Sequence, residues 1–336
     1  MISVFAESVF GSLRRTDQRR WAEAYLHGLI STSGKKTVRR LAAAVSDRAT
    51  ASQSLHQFVN ASPWDWAPVR RDLVRWAEER TTPRAWVLAE AVLRKRGDHS
   101  CGVHRRFSPL DGRSVNGQVC TGLFLAGHGD ALPVDWALYL PEAWADDPLR
   151  RSRARIPDGV PHRPIEEQAL DLVDALAART RLPAVPVVAD ASFHTDADAL
   201  VRGLDRRGHD FVVAVSGRLT FGRTGPAAPG PTRLDRGHRT YRMFATRTRP
   251  GRPADRLWLT NMPHRRAEEL LPLTRTLGLA QEAVRSMQGD LGLGDFEGRS
   301  FPGWHHHMTL VSAAHAHSRL SATGVPHRLA GLPVAA

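Results

Sequence analysis

Cysteine is scarce: Cys101 and Cys120 are the only two in 336 residues. Two thiols complete neither a structural zinc site nor a disulfide framework. Free thiols in a reducing compartment are the simplest reading, so a cytoplasmic location is expected. Long apolar runs are missing too, and none approaches membrane-spanning length. The opening stretch, MISVFAESVFGSLRR, has no basic lead and carries Glu7 inside its apolar run, which argues against a secretory signal peptide. No membrane partner is expected. Acidic residues are outnumbered, 34 Asp+Glu against 47 Lys+Arg, for a formal charge of +13 and a pI near 11.1. That balance favours a polyanionic partner, of which nucleic acid is the commonest. An Arg-rich proteome would give the same total, because composition does not say where the charge sits. Ser33-Gly34-Lys35 lacks the upstream glycines of a phosphate loop, and no Ser/His/Asp arrangement is identifiable.

What the chain does have is length and 42% hydrophobic residues, enough for two or three domains or one large domain with appendages. Residues 1–82 read as an all-helical domain. Helices are predicted over Thr16–Gly28, over Lys35–Ser46 with Val38, Leu41, Ala42 and Val45 on one face, and over Ala49–Asn60. A fourth opens at Ser62-Pro63 and runs to about Glu79. Residues 1–80 hold 13 Lys/Arg and 8 Asp/Glu, which suits a DNA-binding helical module and a solvated bundle equally.

Pro83 marks a boundary, and residues 83–336 read as a mixed α/β domain. Strands are predicted at Ala85–Leu93, Cys101–Ser108, Gln118–Gly127 and Ala131–Leu140, with Asp111-Gly112 as a hairpin signal. Helix Glu166–Thr180, a strand at Val187, helix Asp196–Arg207 and strand Asp210–Val215 follow. An antiparallel meander followed by alternating helix and strand indicates a mixed sheet with flanking helices. Residues 216–256 break the pattern with ten Arg and two acids, Asp235 and Asp255. They read as an insertion containing strand Thr240–Thr246, either a solvated loop or a flap that tracks phosphates. Strand Leu257–Asn261 returns to the core, and helices Ala267–Thr276, Gly278–Gly289 and Trp304–Ser321 complete the chain.

The stretch PVVADASFH, Pro186–His194, is a short apolar β run that ends on Asp190. A charge at the end of a buried strand costs free energy unless it is paired or holds a metal. A helix N-cap or loop carboxylate would look the same in sequence. His305-His306-His307 invites a metal reading, but consecutive residues on one helix point in three directions and cannot chelate one ion together.

Several stretches, in order, resemble one family. They are RKRGDHSCGV (Arg94–Val103), WALYLPEAWADDPLRR (Trp136–Arg151), VVADASF (Val187–Phe193), GDLGLGDFEGRSF (Gly289–Phe301) and PGWHHHMTL (Pro302–Leu310). Together they are similar to DDE-type insertion-sequence transposases, in the branch that includes insertion sequence seven-zero-one. The resemblance covers nearly the whole chain. It implies an RNase H-like fold and three carboxylates that bind two Mg²⁺ ions for phosphodiester chemistry. It also implies double-stranded DNA as partner, with a homodimer as the candidate assembly. The DNA-facing candidates are Lys95, Arg96, Arg105, Arg106, Arg299, His305 and His307.

The chain departs from the family at the residues that matter most. The first carboxylate position holds Ala89, next to Glu90. The second, Asp190, is retained as catalytic and metal-ligating candidate. The third falls on Gln281, next to Glu282, and the family's Lys position seven residues on holds Gln288. Glu90 should face away from the site, because neighbours on a strand alternate. Glu282 lies about 100° around the helix from Gln281. Three readings stay open: a DNA-binding protein that has lost strand cleavage and holds Mg²⁺ weakly or not at all, an active Mg²⁺-dependent transposase using Glu90 and Glu282, and reuse of the fold for a non-DNA ligand or partner.

Overall fold

A computed structural model of the chain describes residues 2–108, 112–192, 196–216, 232–236, 239–246 and 256–322. Five helices come first: α1 (Ile2–Phe10), α2 (Thr16–Ser31), α3 (Val38–Val45), α4 (Ala51–Asn60) and α5 (Trp66–Glu78). The meander is β1 (Ala85–Arg94), β2 (His104–Ser108), β3 (Arg113–Ala126) and β4 (Ala131–Leu138). Then come α6 (Glu142–Ala145), α7 (Pro148–Ala154), α8 (Ile165–Ala177), β5 (Val187–Asp190), α9 (Ala197–Arg206) and β6 (Phe211–Val215). The chain continues through β7 (Thr232–Arg236), β8 (Arg239–Thr246), β9 (Arg256–Thr260), α10 (Ala267–Asp290) and α11 (Phe301–Ala322).

The strands form a nine-stranded sheet in the order β2-β3-β1-β5-β6-β9-β8-β7, with β4 also paired to β3. Gly117 pairs with both Arg94 and His104, and Cys120 pairs with both Ala91 and Leu138. β2 and β4 therefore follow one another along the edge of β3 opposite β1. Strands β1, β5 and β6 are parallel to one another, and the meander is antiparallel. This is a mixed α/β sheet with flanking helices, as expected.

Several predicted elements shift. The opening stretch forms α1, whose Phe5, Ala6, Val9 and Phe10 are buried. Asp65, not Ser62, caps α5, accepting from the Ala67 N–H at 2.9 Å. The two helices predicted around Gly278 are one helix, α10, which runs through Pro272. Pro272 removes one backbone bond and Gly278 lowers propensity by roughly 1 kcal/mol. Burial of Leu270, Leu277, Ala280, Val284 and Met287 along one stripe outweighs both. The predicted insertion does contain a strand at 240–246. That strand, β8, pairs with β9 and carries β7 on its other side, so this segment widens the main sheet. Asp111 of the hairpin signal, Phe193 and His194, and residues 217–231 and 247–255 of the Arg-rich segment lie outside the described residues.

The core is one contiguous apolar cluster reaching from Phe5 to Ala316. α11 sits at its centre, in contact with α1, α2, α4, α5, α10 and β4. From Gly303 to His317 every α11 residue is buried, which is why this helix shows no amphipathic pattern. α10 packs on the sheet face that α11 covers, and α8 and α9 are paired with each other elsewhere on the sheet.

Candidate active site

The site is set by the parallel pairing of β1 and β5. Trp86 lies opposite Val187, Val87 opposite Val188 and Leu88 opposite Ala189. Ala89 and Asp190 are the next residue on each strand after the last of these pairs. Ala89 pairs with Gly122 across β3, and a Cβ on Gly122 would meet the Phe124 and Trp136 rings at 2.7 Å. The Trp136 indole N–H donates to Ser312 Oγ of α11 at 2.8 Å. Ala89 therefore faces the α10–α11 side. Glu90, paired with Thr121, faces the other way and lines a small cleft with Ala169 of α8 and Leu200 of α9. Asp190, the last residue of β5, is at the rim of that cleft.

α10 crosses both strands. The Gln288 side-chain amide donates to the Val92 carbonyl at 3.3 Å. This contact fixes the C-terminal part of α10 against β1, on the helix that also carries Gln281. Ala89 and Asp190 lie on adjacent strands that α10, the helix of Gln281, packs against, and of these three residues only Asp190 is charged. Glu282 is exposed and paired with Arg285, its Oε2 2.5 Å from the guanidinium. It does not join Asp190.

Both oxygens of Asp190 are engaged by the protein itself. Oδ1 accepts from the Ser192 N–H at 3.1 Å and from the Ser192 hydroxyl. Oδ2 lies 3.2 Å from the Arg256 guanidinium. Arg256 is the first residue of β9, and its guanidinium lies 5.7 Å from the Trp258 ring centroid. Nothing in the sequence pointed to Arg256. It is one of ten arginines in an irregular segment, and its meeting with Asp190 depends on the β5-β6-β9 order. Glu90 has an arginine too: Arg106 is 3.2 Å from Oε2, close enough for an ion pair, but that oxygen accepts no hydrogen bond.

Among the described residues, no group of three or more His, Cys, Asp or Glu side chains is placed to hold a metal ion. Two Mg²⁺ ions a few ångströms apart need several hard oxygen ligands and compensating negative charge. One carboxylate with both oxygens taken does not fit that requirement.

The predicted DNA-facing residues divide sharply. Arg96, Arg105 and Arg299 are exposed around the ends of β1, β2 and the segment before α11. Lys95 is not free for a phosphate: its ammonium donates to the Gly294 and Phe296 carbonyls at 3.0 and 2.8 Å, and burial pulls its pKa down to about 8. His305 and His307 were expected at the surface, and that expectation is corrected: they are 6% and 1% exposed. His305 stacks on Trp66 and contacts Arg70 through Nδ1 at 3.2 Å. His306 lies between the Val59 and Trp64 carbonyls, and His307 between the Tyr25 hydroxyl and the Gly292 carbonyl. The three rings do point three ways, but all into the core. Burial pushes His306 and His307 down to about 4, although the backbone carbonyls at both pull the other way.

Sequence patterns missed the strongest polar cluster. Arg70 of α5 is 3% exposed and donates to Asp135 Oδ1 at 2.6 Å, the Trp136 carbonyl at 3.0 Å and Thr309 Oγ1 at 2.8 Å. Arg179 reaches the other Asp135 oxygen. This knot ties α5, β4 and α11 together. Arg70 meets Asp135 across 65 residues of sequence, so the pair has no local signature.

The DDE superfamily endonuclease model matches residues 8–268, more than half of the chain, and the protein belongs to that family. DDE superfamily endonucleases are generally divalent-metal dependent. Among solved structures, the chain is similar to piggyBac transposase in a cryo-EM synaptic complex with hairpin DNA, at 14% identity and TM-score 0.43. That likeness covers 96% of this chain and 66% of the piggyBac chain, so this protein spans just under two thirds of that neighbour's length. No curated protein matches the sequence. Among the described residues, no helix is long and apolar enough to cross a membrane.

Proposed function

We propose that this protein is a transposase-derived, double-stranded-DNA-binding member of its family that has lost strand cleavage. One observation carries the reading: of the three carboxylate positions only Asp190 is acidic, and both its oxygens are already engaged by Ser192 and Arg256. Support for DNA as partner comes from the family, the +13 charge and the exposed Arg96, Arg105 and Arg299. The motifs quoted above support membership of the branch that includes insertion sequence seven-zero-one. A division into a helical DNA-binding part at 1–82 and a transposase part from 83, a homodimeric assembly, a cytoplasmic location and weak or absent Mg²⁺ binding complete the proposal.

The rival reading, an active enzyme using Glu90 and Glu282, has less support. Glu90 lies on the sheet face away from α10, and Glu282 is held by Arg285 toward solvent. The test is nicking of supercoiled plasmid with Mg²⁺ or Mn²⁺. The wild type should leave the plasmid intact in both metals while still shifting duplex DNA in EDTA. Nicking that disappears in Asp190→Asn, Glu90→Gln or Glu282→Gln would overturn the loss of cleavage.

A further inference from the structure

We infer that Arg256 is a built-in counter-cation: it occupies Oδ2 of Asp190 and thereby keeps divalent ions out of the site. The inference rests on reading Asp190 as the retained family carboxylate, and goes beyond it by naming the residue that stands in the metal's place.

The geometry supports a competition rather than a simple loss of ligands. A lone aspartate at a strand end still attracts a hard cation, because its carboxylate has free lone pairs. At Asp190 each oxygen already has a partner within the protein. Ser192 closes over Oδ1 with both its backbone N–H and its hydroxyl, and the Arg256 guanidinium faces Oδ2 at 3.2 Å. The Asp190 side chain is 16% exposed and that of Arg256 33%, so the pair is partly shielded from water. A divalent ion reaching Oδ2 must push aside a group of like charge or share one oxygen with it at close range, and both are repulsive. Arginine suits this role better than lysine, because its planar fork stays charged at any accessible pH and keeps donors free for a second acceptor. A phosphate oxygen arriving at the rim could be that second acceptor, so the site keeps a cation for DNA without a metal.

The second carboxylate of the cleft follows the same pattern. Glu90 is faced by Arg106 at 3.2 Å. Each acid near this site thus has its own arginine, and the pairs come from different elements: β9 with β5, and β2 with β1.

Mn²⁺ binding to the full-length protein, read from the fall of the free-ion EPR signal, tests this without any activity assay. The wild type should bind weakly. Arg256→Met, which keeps an unbranched stem of similar length, should tighten Mn²⁺ binding about tenfold or more. Adding Asp190→Asn to Arg256→Met should return binding to the wild-type level. Ser192→Ala should stay near wild type, because Arg256 still covers Oδ2. Should Arg256→Met not fold, Arg256→Gln provides a second neutral variant with the same expectation. Equal, weak binding by wild type and the neutral variants would overturn the inference and leave the loss of cleavage standing. Tight Asp190-dependent binding by the wild type would overturn it as well. Plasmid nicking by the wild type would instead sink the proposed function, so the two failures are distinguishable.

Discussion

Asp135 and Asp190 both face arginine, in opposite settings. Asp135 is buried under α11 between Arg70 and Arg179, and it also accepts the Trp136 N–H at 2.8 Å. Burial pushes its carboxyl up, but the two guanidinium groups outweigh burial and hold it below the usual range. Asp190 sits at a strand end, partly open, with one arginine and one serine. The first aspartate joins three elements of the core and has no chemistry to perform. The second closes no core and is the residue proposed to hold the family's retained carboxylate. A sequence motif draws attention to Asp190, but the larger electrostatic stake in folding is at Asp135. Removing one partner of a buried pair strands the other charge, whereas a half-open pair is bathed by water that can take its place.

That contrast can be broken most easily by mutation. Asp135→Ala should destabilise the protein by roughly 3–5 kcal/mol, because Arg70 stays buried without its acid. Asp190→Asn should change stability by less than about 1 kcal/mol. Urea unfolding of both variants checks the difference, and similar losses at the two sites would erase it.

Acid is a further lever, and it acts chiefly through the buried histidines of α11. His306, His307 and His315 have folded pKa values pushed down to about 4 by burial, below the roughly 6.5 of an unfolded histidine. Between those values the unfolded chain binds more protons than the folded one. Stability is therefore complete above about pH 6.5 and falls as pH drops toward 4. Each histidine contributes a loss of about 1.4 kcal/mol per pH unit within the window. Thermal melts from pH 7.5 to 4.5 should show a steep decline, and a flat profile would mean these rings are not buried neutral. Replacing His306 by Gln should reduce the slope.

The smallest effect belongs to the exposed arginines. Arg96→Ala, Arg105→Ala and Arg299→Ala should leave folding unchanged within about 0.5 kcal/mol. Each residue that meets a phosphate should flatten the slope of log affinity against log salt by roughly one unit. Fluorescence anisotropy with duplex DNA across salt concentrations measures it. An unchanged slope in the triple variant would move the DNA interface elsewhere.

The strand Val187–Asp190, the apolar stripe of Ala280, Val284, Met287 and Leu291, and the neutral residues at 89 and 281 were legible from the sequence. Local order and side-chain period set them, and these survive in one dimension. The alternation that turns Glu90 away from α10 was legible for the same reason. The depth of α11 was not. Its three histidines look like a polar surface run until Val59, Trp64, Trp66 and Arg70, more than 230 residues away, close over them. Lys95 likewise reads as a DNA contact until the Gly294 and Phe296 carbonyls take its ammonium. The partner of Asp190 was invisible as well, since Arg256 arrives only through the order β5-β6-β9. Composition and period decide which residues can form a strand, a stripe or a site. Which charges meet across the sheet is decided by tertiary packing, because the cost of burying a charge depends on groups that the chain brings near only when folded.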